Sequence, residues 1–145
     1  MSEQIINFSA VGTHVKGFQV EIKSADFTIK VDEPKDIGGS GEAPNPIQYL
    51  LASLIGCFII TTVYHAKLRR IKIDSISVKA QGKLDLRGFV GEDNIRPGLQ
   101  EIVLEVSIVS NEKRERILEL LEFVEKHCPV GDTISRGSKI TVKLV

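Results

Sequence analysis

Near its middle the chain reads Tyr49-Leu-Leu-Ala-Ser-Leu-Ile-Gly-Cys57-Phe-Ile-Ile-Thr-Thr-Val-Tyr64, a stretch without a charged side chain. This stretch is shorter than the roughly 20 residues that span a bilayer. It also contains Ser53, Thr61 and Thr62. We therefore interpret it as a helix of a protein core and not as a membrane segment.

Three signals mark the start of this helix just before the uncharged stretch. Asn45 is a favourable N-cap, Pro46 suits the first helical position, and Gln48 can complete a capping box with Asn45. We expect the helix to continue to about Leu68. Its middle is apolar on all sides, which implies burial all round. One small domain offers too little surface to cover it, so the sequence predicts a homodimer.

Length and charge limit the remaining possibilities. A chain of 145 residues fits one domain, residues 1–145, with a core of its own. Lysine plus arginine and aspartate plus glutamate number 19 each and are spread along the chain, which argues against a nucleic-acid partner. The amino terminus, Met1-Ser-Glu-Gln, carries no secretory pattern, so we expect a cytoplasmic protein without a membrane partner.

Alternation of apolar and polar residues predicts strands on both sides of the helix. We expect a hairpin over residues 18–22 and 27–31, a strand near residues 4–10, a pair at residues 76–84 and 101–109, and a last strand at residues 139–145. A second helix should begin at Ser110-Asn111, and its apolar stripe is Ile117, Leu121, Val124 and Cys128. This order of elements predicts an α+β fold with antiparallel pairing and the helices on one face.

The two cysteines, Cys57 and Cys128, are the first candidates for chemistry. A free cysteine is commonly a small buried hydrophobe, so both a redox role and a packing role are open for each. Pro129 places Cys128 at a helix end, where carbonyl dipoles disfavour an anion unless a new turn begins after the proline. The three histidines show no ligand spacing with the cysteines, so we expect no metal and no other cofactor.

Two loops and one helix face supply further candidates. The loop Gly38-Gly-Ser-Gly41 matches no phosphate-binding pattern. The long segment from Arg87 to Gly98 contains Arg87 and Arg96, and loops of this length often carry function. Ser53, Thr61 and Tyr64 share the face of Cys57, where their hydroxyls could hydrogen-bond a thiolate or a bound oxygen.

Together, these motifs resemble those of the OsmC/Ohr family. They are Asn45-Pro46 at the start of a helix, Leu50-Leu51-Ala52 in its second turn, Gly56-Cys57 at its middle, Cys128-Pro129-Val130 after a second helix, and the glycine loop. The resemblance implies antiparallel sheets wrapped around a long central helix, in an intertwined homodimer with its active sites at the subunit interface.

The resemblance also implies a cysteine-based peroxidase active in the oxidative stress response. Cys57 would attack an organic or small hydroperoxide and become a sulfenic acid, and Cys128 would then condense with it into a disulfide. A lipoyl protein or a small thiol would reduce that disulfide. A ligand-binding protein of the same fold, or a redox sensor without peroxidase turnover, is the alternative.

One departure from the family concerns the cation that ionises the first cysteine. The organic hydroperoxide reductase branch pairs a glutamate after the helix-opening proline with an arginine from the first strands, but Ile47 stands at the glutamate position and Arg69 is the first arginine. The usual pair is therefore missing. Candidates for activating the thiolate or lining the substrate site are Arg87, Arg96, Gln48 and Tyr64, with His14 and Lys16 as further cations. Arg87-Gly-Phe and Arg96-Pro-Gly resemble a less characterised branch, and Gly131 replaces a common serine.

Overall fold

A computed structural model describes residues 2–145. The chain forms two compact units, one ending at Leu50 and the other beginning at Leu51. The elements, in order, are β1 (Val11–Lys16), β2 (Gln19–Ser24), β3 (Phe27–Val31), a 3-10 turn (Lys35–Ile37), α1 (Pro46–Leu68), β4 (Ser75–Lys83), α2 (Leu86–Phe89), β5 (Glu101–Val109), α3 (Arg114–His127) and α4 (Pro129–Arg136). The α+β class with antiparallel sheets is confirmed.

The first unit contains an antiparallel sheet of β1, β2 and β3 in that order. The predicted hairpin is confirmed, with Val20 opposite Val31 and Ser24 opposite Phe27. The prediction of a strand near residues 4–10 is wrong in position. That segment is irregular, and the strand that pairs with β2 is β1. The apolar face that was expected to be buried in this hairpin is only partly buried. Val31 is buried, but Phe18 and Phe27 remain exposed.

A buried carboxylate organises the glycine loop after β3. Asp32 is 1% exposed, and its oxygens accept hydrogen bonds from the Ser40 hydroxyl and from the backbone N–H groups of Glu33 (2.8 Å), Ser40 (3.4 Å) and Glu42 (3.2 Å). A side chain at Gly39 would bring its Cβ to 1.8 Å from the carbonyl oxygen of Glu33. The glycine therefore permits the close backbone approach that this loop requires.

The predicted start of α1 is confirmed by a reciprocal pair of hydrogen bonds. The Gln48 N–H donates to Asn45 Oδ1 at 2.9 Å, and the Asn45 N–H donates to Gln48 Oε1 at 2.8 Å. The helix then runs for 23 residues, ending at Leu68 as expected. Its first backbone donors are thus satisfied by the capping box.

The apolar helix α1 is buried along one stripe only. Leu54, Phe58, Thr62 and Ala66 recur every four residues and are buried, whereas Ile60, Val63, Tyr64 and Leu68 on other faces are exposed. Burial on every side is therefore not achieved within one chain. The formed helix is also long and apolar enough to cross a membrane by length and composition alone, so the shortness of the uncharged stretch does not exclude a membrane span.

The second unit packs helices against the antiparallel pair β4 and β5. Their register runs from Ser75 opposite Val109 to Lys83 opposite Glu101, which confirms the two predicted strands. The core beside them contains buried side chains from two helices and two connecting residues, namely Leu54, Phe58, Ala66, Ile71, Leu120, Val124 and Cys128. Val124 and Cys128 belong to the predicted stripe of the second helix, while Ile117 and Leu121 pack at its edge.

The start of the second helix differs from the prediction, and a further helix follows its end. It begins at Arg114, because Ser110 instead forms a turn in which its hydroxyl donates to the Lys72 carbonyl (2.6 Å) and accepts from the Glu112 N–H (3.1 Å). After Pro129 the chain starts α4, which the sequence analysis did not predict. Proline at the first helical position is compatible with a new helix as well as with the end of the previous one.

The predicted last strand is wrong for the single chain. Residues 138–145 pair with neither sheet within residues 2–145, and Ile140, Val142 and Leu144 are exposed. An alternating pattern predicts an extended segment with one apolar face, but a strand also needs a free sheet edge to supply its hydrogen bonds. The loop of Arg87 and Arg96 also differs slightly, since it begins with the short helix α2.

The hydrogen bonds to Asp32 predict an acid-sensitive stability. The Ser40 hydroxyl bond, with help from the backbone donors, lowers the pKa of Asp32 from 3.8 to about 2. A depressed carboxyl pKa stabilises the fold above the unfolded value and loses that contribution as pH falls through the folded value. Asp32→Asn should therefore lower the urea midpoint at pH 7 and have a smaller effect at pH 3. An equal loss at both pH values would contradict this role.

Candidate functional site

Cys57 lies inside α1 at the edge of the core of the second unit. Its side chain is half-buried and packs against the buried cluster that contains Leu54, Phe58 and Cys128. Tyr64 lies two turns further along the helix and is 60% exposed. Of the two cysteines, Cys57 is the more accessible, because Cys128 is buried.

Cys128 joins two helices and is almost completely buried, with 1% of its surface exposed. Its N–H donates to the Val124 carbonyl at 2.8 Å, which ends α3, and its Sγ accepts the Gly131 N–H at 3.4 Å, which caps α4. The thiol thus lies at the amino end of a new helix as well as the carboxyl end of the previous one. The exception stated for a new turn after Pro129 therefore applies, because α4 provides N–H groups beside the sulfur.

The two cysteines are neighbours although 71 positions separate them in the sequence. Both are free thiols, and the Cys57 side chain lies within hydrogen-bonding reach of Cys128. Burial raises the pKa of the Cys128 thiol, and the hydrogen bond and charge of Cys57 raise it further. The N–H groups of Gly131 and Val130 act in the opposite direction. Cys128 is therefore held as a neutral thiol at neutral pH.

A cavity of about 490 Å³ lies beside Cys128 in the second unit. Its walls are mostly apolar side chains of α1, β5, α3 and α4, including Leu54, Phe58, Ile102, Leu104, Val106, Leu118, Leu121 and Ile134. Polar groups of Glu122, Glu125 and Ser135 complete the lining. The volume lies in the range of sites that hold small organic ligands.

The candidate cations have different surroundings. Arg87 is bound to Asp85 through several hydrogen bonds, the shortest 2.6 Å from Nη2 to Oδ2, and this pairing raises the pKa of Arg87 and lowers that of Asp85. The exposed Arg96 guanidinium has no ion pair or side-chain hydrogen bond within residues 2–145. Neither arginine forms a hydrogen bond or ion pair with a cysteine in that range.

The other polar candidates have local roles in the structure. Gln48 completes the α1 capping box, and His14 bonds through Nε2 to the Gly17 carbonyl at 2.9 Å in its own hairpin. Tyr64 contacts the His65 ring edge-on. No cluster of three or more histidine, cysteine, aspartate or glutamate side chains suited to a metal occurs in the described part of the chain.

An aromatic cluster that the sequence did not predict lies between α1 and α3. The Phe123 ring stacks on His127 at 3.8 Å, contacts the edge of His65 at 4.7 Å, and lies 4.1 Å below the Arg69 guanidinium. Burial, followed by the charges of Arg69 and His127, lowers the pKa of His65. The spacing of His65 and Arg69 by four residues places both on one side of α1, but no local signal pairs them with Phe123.

An α+β fold with two neighbouring thiols has the features of a cysteine-based redox protein. The sequence matches the model of OsmC-like proteins over residues 39–143, and the chain belongs to that family. A curated relative, the hydroperoxide reductase of Mycoplasma genitalium, is 25% identical over 122 residues, which cover 83% of this chain and 82% of the relative. The family resemblance of the sequence motifs is therefore confirmed.

Solved structures agree with this assignment. The OsmC-like protein of Mycoplasma pneumoniae has a TM-score of 0.73 and 25% identity, with 92% of this chain and 89% of that chain covered. An organic hydroperoxide resistance protein of Elizabethkingia anophelis also has a TM-score of 0.73, at 22% identity, and covers 92% of this chain and 91% of its own. The second likeness supports the fold alone.

The contrast in burial predicts different reactivities for the two thiols. In the native protein, iodoacetamide should modify Cys57 at least about tenfold faster than Cys128, because thiolate fraction and exposure control alkylation. Peptide mapping after short exposure measures the two rates. In urea the rates should become similar, which serves as the control. Equal rates in the native protein would contradict the described environments.

Proposed function

We propose that this protein is a thiol peroxidase that reduces organic hydroperoxides through a Cys57–Cys128 disulfide. The observation that carries the proposal is the pairing of a half-buried Cys57 with a neighbouring, buried Cys128 in an OsmC-like chain. The name of the Mycoplasma genitalium relative, hydroperoxide reductase, supports the same reaction class.

The first step would occur at Cys57. Its thiolate attacks one peroxide oxygen, the O–O bond breaks, and the alkoxide takes a proton to leave as an alcohol. Cys57 then carries a sulfenic acid. The greater exposure of Cys57 favours it over Cys128 for this step, because a peroxide must reach the sulfur from solvent.

The second step would use Cys128 as the resolving thiol. Its sulfur attacks the Cys57 sulfenic acid, a disulfide forms, and water leaves. The two thiols are already within hydrogen-bonding reach, so this condensation is intramolecular. A dithiol such as a lipoyl protein, or two small thiols, would return the enzyme to its reduced state.

The apolar cavity beside Cys128 supports an organic substrate over hydrogen peroxide. Its leucine, isoleucine, valine and phenylalanine side chains would remove a bound alkyl or aryl group from water. This removal from water favours binding. The same cavity supports the alternative, a ligand-binding or redox-sensing protein without turnover. The two functions differ in whether peroxide is consumed.

The cation that activates Cys57 would come from Arg96 of a second copy of the chain. Arg87 is already paired with Asp85, whereas the Arg96 guanidinium is exposed and has no ion pair within residues 2–145. Both residues lie in a loop long enough to reach a neighbouring subunit. A guanidinium near the sulfur would favour the thiolate of Cys57 by opposite charge.

The proposed active form is an intertwined homodimer of single-domain subunits in the cytoplasm. The exposed α1 residues Ile60, Val63, Tyr64 and Leu68 form an apolar surface that a partner subunit would cover. The unpaired segment of residues 138–145, with Ile140, Val142 and Leu144 exposed, would gain its strand hydrogen bonds from the same partner.

Substitution of each cysteine tests the proposed reaction. Cys57→Ser should abolish consumption of an organic hydroperoxide in the presence of a dithiol. Cys128→Ser should leave one equivalent of peroxide consumed quickly, with a sulfenic acid on Cys57 that dimedone traps, and should slow steady turnover. Unchanged turnover in Cys57→Ser would exclude this function, and bound ligand without turnover in the wild type would favour the alternative.

The two arginines of the loop form a matched pair of variants. Arg96→Ala should lower kcat/KM for the organic hydroperoxide at least about tenfold, equivalent to about 1.4 kcal/mol of transition-state stabilisation. Arg87→Ala removes the same charge from the same loop and should change kcat/KM less than about threefold. A larger loss in Arg87→Ala than in Arg96→Ala would contradict the assignment of the cation.

A further inference from the structure

The sulfur of Cys128 accepts a hydrogen bond from a backbone N–H that has no other acceptor among the residues that the structure describes. Gly131 lies in the first turn of the eight-residue helix α4, where N–H groups have no intrahelical partner. Its N–H points to Cys128 Sγ at 3.4 Å, whereas the Asp132 N–H makes the first backbone bond of the helix, to the Cys128 carbonyl at 2.8 Å. The amino end of α4 is therefore directed at this sulfur.

Within residues 2–145, no backbone N–H group donates to the sulfur of Cys57. It lies in the interior of α1, where backbone N–H groups are consumed by the i to i−4 bonds of the helix. A sulfur anion at Cys128 would lie at the positive end of a helix dipole, with the Gly131 N–H already directed at it. Burial of Cys128 opposes its ionisation, and the Gly131 and Val130 N–H groups offset part of that cost.

The two sulfurs also differ in their exposure to solvent. Cys128 is 1% exposed, whereas Cys57 is half-buried at the edge of the core. A thiol that attacks a disulfide must approach one sulfur along the S–S axis, and the other sulfur leaves as a thiolate. Exposure of Cys57 and the backbone donor at Cys128 thus favour the same direction of attack.

We propose that the amino terminus of α4 makes Cys128 the leaving group when the Cys57–Cys128 disulfide is reduced, so that the reducing thiolate attacks Cys57. The inference rests on the proposed disulfide. A new S–S bond forms between the reductant and Cys57, the Cys57–Cys128 bond breaks, and its electron pair goes to Cys128 Sγ. A second thiolate of the reductant then attacks the reductant sulfur that is bonded to Cys57 in the mixed disulfide. The bond to Cys57 breaks, and Cys57 leaves as a thiolate.

The direction of attack can be trapped without any peroxide. The wild-type protein is oxidised with diamide, treated briefly with one equivalent of glutathione, quenched in acid and alkylated with N-ethylmaleimide. Trypsin then separates Cys57, in residues 36–67, from Cys128, in residues 127–136. Glutathione should be found on the first peptide and N-ethylmaleimide on the second, in at least about tenfold excess over the reverse pattern.

The reverse pattern, or failure of diamide to form the disulfide, would overturn the proposal. Because the disulfide is made chemically, the result is independent of peroxidase activity. A protein that shows the expected pattern but consumes no peroxide would contradict the proposed function and leave this inference standing.

A second measurement isolates the Gly131 donor from simple burial. In a Cys57→Ser background, ultraviolet thiolate absorbance reports the titration of Cys128 alone. Gly131→Ala keeps the N–H, and its Cβ would meet Cys128 Sγ at an ordinary contact of 3.5 Å, so the midpoint should not change. Gly131→Pro removes the N–H and should raise the midpoint by about half a pH unit or more. Equal midpoints in folded variants would contradict the role of α4, and the trapping experiment needs neither variant.

Discussion

The packing of the α1 stripe against α3 is the interaction on which the rest of the second unit depends. Leu54, Phe58 and Ala66 share a buried cluster with Leu120, Val124 and Cys128. Each large side chain in this cluster stabilises the fold by roughly 2 kcal/mol through removal from water. Because Cys128 belongs to the cluster and Cys57 lies at its edge, the same packing makes the two thiols neighbours and gives them unequal access to solvent.

The polar interactions of the chain mostly shape backbone and do not enter the thiol site. Asp32 collects the donors of the glycine loop, and Gln48 caps α1 together with Asn45. Arg87 is held by Asp85. In the second unit the two sulfurs lie beside a mostly apolar cavity and the N–H groups of α4, and the proposed activating cation belongs to a second copy of the chain.

Local patterns in the sequence predict much of this architecture. The capping residues define the start of α1, and alternation locates β2 to β5, because both depend on neighbours along the chain. The proximity of Cys57 and Cys128 followed from the family resemblance and not from their spacing. The helix α4 was missed because Pro129 is equally compatible with the end of one helix and the start of another. The prediction of the last strand was wrong because an alternating apolar pattern does not specify which sheet edge the segment joins.

The central claim is that Cys57 and Cys128 form one redox couple. It is tested most directly by intact-mass and thiol analysis of the reduced protein after addition of a single equivalent of an organic hydroperoxide. Both thiols should be lost together, with loss of two hydrogen atoms and a Cys57–Cys128 bridge in the peptide map. A stable gain of oxygen on Cys57 with Cys128 still free, or no change in either thiol, would contradict it.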